Sequence, residues 1–108
     1  MNELIKIEYY AKPNGKEPYT EWFDNLRDIK VKAKISVRID RLRMGNFGNC
    51  EPVGGGISEL KIDYGPGYRV YFGQIGNVII IILCGGDKST QKNDIKIAHE
   101  YWEDLTGR

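Results

Sequence analysis

Ile57-Ser-Glu-Leu-Lys-Ile-Asp-Tyr64, then Gly65-Pro66-Gly67, then Tyr68-Arg-Val-Tyr-Phe72 and, past a turn at Gly76-Asn77, Val78-Ile-Ile-Ile-Ile-Leu-Cys84: this stretch decides how the chain folds. Each segment is short, rich in β-branched and aromatic residues, and closed by glycine turns, which predicts a three-stranded antiparallel meander. If Gly65-Pro66-Gly67 is a three-residue loop, Ile62 faces Val70 and Leu60 faces Phe72. On the opposite face Asp63 then meets Arg69 and Lys61 meets Tyr71. One face is apolar, and the other carries two cations with an aromatic. A one-residue slip would mix them, so the pattern selects this parity. The last strand is apolar at every position, which predicts a central strand covered on both faces.

Working outward, residues 4–10 alternate as a first strand, and Lys12-Pro13-Asn14-Gly15 ends it. Pro18 can open a helix in which Tyr19, Trp22, Phe23 and Leu26 share one face, read as core. Asp28 can cap a second helix, from about Ile29 to Met44, with Val31, Ile35, Ile39 and Leu42 inward and Gly45 at its end. Its remaining faces carry Lys30, Lys32, Lys34, Arg38, Arg41 and Arg43, either a solvated face or a nucleic-acid patch. Gly45 to Gly56 reads as a mobile glycine-rich loop, without the spacing of a phosphate-binding loop. After Gly85-Gly86-Asp87-Lys88, Ser89 can cap a final helix whose inward stripe is Ile95, Ala98, Trp102 and Leu105. Gln91 and Asp94, three apart, leave its first turns on a common side. The expected fold is α+β in the order β-α-α-β-β-β-α, a single domain over residues 1–108.

The bulk numbers exclude several classes. A net charge of +1 leaves no global field for nucleic acid, so any basic site is local. No apolar run has membrane length, and Met1-Asn2-Glu3-Leu4 opens no signal-peptide pattern. Cys50, placed in a loop, and Cys84, in a strand, have no metal or redox spacing and read as unpaired thiols of a cytoplasmic protein. One histidine, His99, excludes a multi-histidine metal site, and packing or surface exposure is the expectation for it. No metal and no cofactor are expected.

Trp22 with Leu26, Arg41-Leu-Arg-Met-Gly-Asn-Phe-Gly48, Ser58-Glu-Leu-Lys61, Gly65-Pro-Gly-Tyr-Arg-Val-Tyr-Phe72 and Cys84-Gly-Gly-Asp-Lys88 with Gln91 and Asp94-Ile95 follow one another in a familiar order. The chain resembles the addiction-module killer proteins, a branch of the RelE/ParE/HigB toxin superfamily. That resemblance implies a sheet flanked by helices, a cognate antitoxin (with a helix-turn-helix part) as partner, and ribosome-dependent cleavage of messenger RNA. RNA brings its own nucleophile, the 2′-hydroxyl, so charge stabilisation and proton transfer are what the protein must add. The resemblance places Arg69, Lys61 and Lys88 as the basic catalytic positions. It puts Asp94 where RelE carries a tyrosine proposed for proton transfer. Tyr71, Gln91, Arg38 and Arg41 complete the RNA-binding expectation. Two other functions share the fold: ParE-like inhibition of DNA gyrase, and a degenerate member that only binds its antitoxin. An ordinary Asp63–Arg69 ion pair with Lys61 lying over Tyr71 is the bland alternative for the basic face.

Overall fold

The computed structural model describes residues 4–107; Met1, Asn2 and Glu3, read above as a start without a leader pattern, and Arg108 lie outside them. The elements are β1 (Lys6–Tyr9), α1 (Pro18–Asn25), α2 (Ile29–Arg43), β2 (Cys50–Gly54), β3 (Ile57–Ile62), β4 (Tyr68–Ile75), β5 (Ile79–Asp87), a 3-10 turn (Lys88–Thr90) and α3 (Gln91–Thr106). The α+β class expected from the sequence is the one observed, with one strand more. A five-stranded mixed sheet runs β1-β5-β4-β3-β2, antiparallel throughout except for the parallel pair β1–β5.

The sheet is the middle of three layers. On one face Leu60, Ile62, Val70, Phe72, Ile80 and Ile82 pack against Tyr19, Val31, Ile35, Ile39 and Leu42, with Trp22 and Phe23 at the border. On the other, Ile57, Tyr71, Ile81, Leu83, Cys84 and Ala98 form a second core, bordered by Ile95, Trp102 and Leu105 of α3. β5 contributes to both, as its unbroken apolar run requires. It does so with a bulge: Tyr71 pairs Cys84 and Phe72 pairs Ile82, so Leu83 is the extra residue and points with Cys84 toward α3. Two glycines let the helices close down. A Cβ on Gly85 would overlap the Trp22 ring, and one on Gly73 would overlap Trp102.

Three sequence expectations are corrected. First, β3 and β4 pair as Leu60↔Val70, Lys61↔Arg69 and Ile62↔Tyr68, not as Ile62 with Val70 and Asp63 with Arg69. The connection is five residues long, because Gly65 (φ +55°) and Gly67 (φ +80°) build a turn that Gly67 N–H closes on the Tyr64 carbonyl at 3.0 Å. A shift of two residues preserves which side chains face which way, so the hydrophobic pattern alone does not distinguish the two registers. Second, the segment expected as a loop holds β2, on which Cys50 lies. It is an edge strand with a register shift between Pro52 and Gly54, a setting in which a sheet accepts proline. Third, α3 is not capped by Ser89: Asp87 accepts from the Ser89 N–H at 2.8 Å and starts the 3-10 turn, and α3 begins at Gln91. The cap of α2 is as expected, the Asp28 carboxylate accepting from Lys30 N–H at 2.9 Å. No helix among the described residues is long and apolar enough to cross a membrane.

Candidate active site

Where the antiparallel ladder of β3 and β4 ends, Lys61 and Arg69 stand directly opposite each other on the face that α3 covers. A small cleft of about 80 Å³ opens there, lined by Asn49, Lys61, Ile62, Asp63, Gly67, Tyr68 and Arg69. Arg69 is a deep wall of it, its side chain only 12% exposed. Its Nη1 donates to the Gly67 carbonyl at 2.9 Å, and its Nε lies 3.0 Å from Glu59 Oε1. That ion contact lacks the angle of a regular hydrogen bond, so Nε is buried and held by charge. Among the described residues nothing hydrogen-bonds Nη2.

Glu59 escaped the sequence reading. Its side chain is 3% exposed, and one oxygen receives Gln91 Nε2 at 2.6 Å and the Tyr71 hydroxyl at 3.3 Å as well as the Arg69 contact. Because β3 is covered on both faces, its polar alternation does not mean a solvent-facing row. A carboxylate under a helix needs a cation and donors, and Arg69 with Gln91 supplies them. The signal was available: an all-apolar β5 implies a lid over the Glu59 face.

The remaining expected residues fall as follows. Asp63 is exposed in the turn and is not the partner of Arg69. Lys61, 26% exposed, does not lie over Tyr71; its Nζ is 3.1 Å from Glu51 on β2. Tyr71 is buried outright, and burial with the Glu59 charge beside it pushes its phenol pKa upward. The hydroxyl therefore supports Glu59 from below and does not line the cleft. Lys88 is exposed on the 3-10 turn. A Cβ on Gly67 would stand 3.4 Å from Arg69 Nη1 and 3.7 Å from the Lys88 Cβ, so Lys88 and Arg69 flank the same glycine.

Asp94 lies over Gly86, the strand residue paired with Arg69; a Cβ on Gly86 would overlap its carboxylate. Burial raises the Asp94 pKa, the nearby Asp87 charge adds to this, and a hydrogen bond from the Thr90 hydroxyl opposes it. Asp87 itself is lowered, chiefly by the Ser89 hydroxyl. The site is thus mixed in charge, with Glu51, Glu59, Asp87 and Asp94 set among Lys61, Arg69 and Lys88.

Arg38 and Arg41 lie apart from this cluster, on α2. Arg38 wraps the sheet edge, its guanidinium donating to the carbonyls of Lys61, Phe47 and Asn49, and so it ties the loop after α2 to β3. Arg41 is exposed beside Lys34 and Val37 in a groove that reaches Ile62 and Asp63, where it adjoins the cleft. His99 packs as expected, its Nε2 3.2 Å from the Val53 carbonyl. Cys50 and Cys84 are unpaired, and the described residues hold no cluster of histidine, cysteine or acidic side chains suited to a metal.

A compact sheet sandwiched by helices, with a guanidinium anchored at a small cleft, now has a family beside it. Residues 21–103 match the family described as Phage derived protein Gp49-like (DUF891), and the chain belongs to that family, one of the addiction-module toxin type, RelE/HigB-like. A protein of Haemophilus influenzae described as "Uncharacterized protein" is 52% identical to it over 80 residues, 74% of this chain and 81% of that protein. The matched span takes in Glu59, Lys61, Arg69, Lys88, Gln91 and Asp94.

Proposed function

We propose that this chain is the toxin of a toxin–antitoxin module, of the addiction-module killer branch, and that it cleaves ribosome-bound messenger RNA. The observation that carries the reading is Arg69, fixed at Nε and Nη1 in the wall of a cleft with Nη2 unengaged. A guanidinium held this way is suited to phosphate, since its planar fork still has a nitrogen whose donors no described residue takes up. In the reaction the RNA 2′-oxygen attacks the adjacent phosphorus and the bond to the 5′-oxygen breaks. A 2′,3′-cyclic phosphate and a 5′-hydroxyl result. The 2′-hydroxyl gives its proton to solvent water, and a second proton reaches the departing oxygen. Arg69 stabilises the extra charge on phosphorus, and Lys61 and Lys88 add positive charge on either side. Asp94, which the resemblance sets where RelE carries its proton-transfer tyrosine, is the candidate for the second proton, and burial shifts it toward the protonated form. The basic groove of Arg41 and Lys34, adjoining the cleft, offers a track for the flanking backbone. The partner is a small antitoxin that masks this face.

Induced expression of the chain alone, followed by mapping of RNA 5′ ends, tests the proposal. Growth arrest with new 5′-hydroxyl ends inside messages is expected, and co-expressed antitoxin should restore growth. The Lys61→Ala/Arg69→Ala/Lys88→Ala triple variant should be harmless. Undiminished toxicity in that variant defeats the nuclease reading, and inhibition of purified gyrase in a supercoiling assay would put the ParE-like activity in its place.

A further inference from the structure

We propose that Glu59 is the positioning residue of this site: its buried carboxylate clamps Arg69 from behind so that a single arm of the guanidinium faces the phosphate. The inference rests on the endoribonuclease reading. Three elements meet at one carboxylate oxygen: β3 supplies Glu59, β4 supplies Arg69 at 3.0 Å and Tyr71 at 3.3 Å, and α3 supplies Gln91 at 2.6 Å. With Nε against Glu59 and Nη1 on the Gly67 carbonyl, rotation of the guanidinium about its own axis is blocked from two sides. The Gln91 bond ties the clamp to the start of α3, the same helix end that carries Asp94. An ion pair so deeply buried is poorly explained by stability, since apolar residues of like volume serve a core as well or better. Orientation explains it. At 2% exposure Glu59 does not reach a ribose hydroxyl, so proton transfer is not its role.

Glu59→Gln keeps the shape and removes the charge. With translating ribosomes on a defined message, its cleavage kcat should fall about 10²-fold, the loss that accompanies a misplaced catalytic group, with a smaller change in KM. The pH profile should keep its form, and in the Arg69→Ala background the same substitution should cost nothing further. An independent readout is the Arg69 Nε proton by NMR: slow to exchange with water in the native protein, fast in Glu59→Gln. Should Glu59→Gln fail to fold, Gln91→Ala leaves the ion pair and removes its tether. A several-fold loss is expected there, again absent without Arg69. Full activity in Glu59→Gln, a multiplied defect with Arg69→Ala, or loss of the acidic limb of the pH profile overturns the clamp, the last making Glu59 a base. If Arg69→Ala alone cleaves normally, Arg69 takes no part in the reaction and the clamp is overturned. If the native chain cleaves no message, the nuclease reading falls and the clamp is decided by exchange: slow then fast sustains it, unchanged exchange overturns it.

Discussion

Arg69 shows how much a single side chain's surroundings decide what it can do. It has donors on three nitrogens: Nη1 bonds the Gly67 carbonyl, and Nε stands in ion contact with Glu59. Lysine has the charge but no fork, and from this position it would meet Glu59 or the cleft, not both. Arg69→Lys is therefore expected to behave nearly as Arg69→Ala, each losing roughly 10²–10³ in cleavage rate, the cost of one oxyanion-stabilising donor. Rates measured on ribosome-bound message would decide; near-native cleavage by Arg69→Lys would show that charge alone suffices. From the sequence, the cation on this face was legible and its partner was not. Asp63 was expected because a short loop sets it opposite Arg69, whereas the observed register sets Lys61 there and brings in Glu59 from two positions earlier on β3. Tyr71, expected to bind RNA, is buried for the same reason that Glu59 was missed: the face with the two cations lies beneath α3.

At the scale of elements, periodicity was a good guide wherever an apolar face had to be buried. Pro18–Asn25 and Ile29–Arg43 are found where Tyr19–Trp22–Phe23 and Val31–Ile35–Ile39–Leu42 put them, and β5 is sandwiched as its composition required. β2 was illegible because an edge strand buries little: it reads Cys-Glu-Pro-Val-Gly, with only Cys50 and Val53 half-buried. Elements also meet through what they lack. β4 has glycine at 73 where the Trp102 ring of α3 lies against the strand, with no room for a methyl group. Gly73→Ala should push α3 off the sheet and cost about 1–3 kcal/mol, the usual range for overpacking a filled core. Urea unfolding followed by tryptophan fluorescence would measure it. An unchanged midpoint would mean that α3 is free to shift.

Over the whole molecule, the second core, and Tyr19 of α1 in the first, hide groups that ionise in alkali. Burial pushes the Cys84 thiol up to about 12 from 9.0, and burial likewise raises Tyr71 and Tyr19 above 10.0. Their unfolded counterparts ionise first, so protons are bound more tightly by the native state. The stability they contribute is complete below pH 9 and is lost as pH climbs through 9 toward 12. A urea midpoint falling steadily above pH 9, with an onset blunted in Cys84→Val, is expected; a midpoint level to pH 11 would contradict it. The parallel pairing of Lys6–Tyr9 with Ile79–Ile82 has another outcome, played out during synthesis. β1, α1 and α2 leave the ribosome before β2 to β5 exist for them to pack on, and β1 stays unpartnered until β5 has emerged. Non-local pairing of this kind delays folding. Gln91, which completes the Glu59 clamp, emerges later still. A nascent chain therefore carries no assembled Glu59 clamp until the first turn of α3 has left the ribosome.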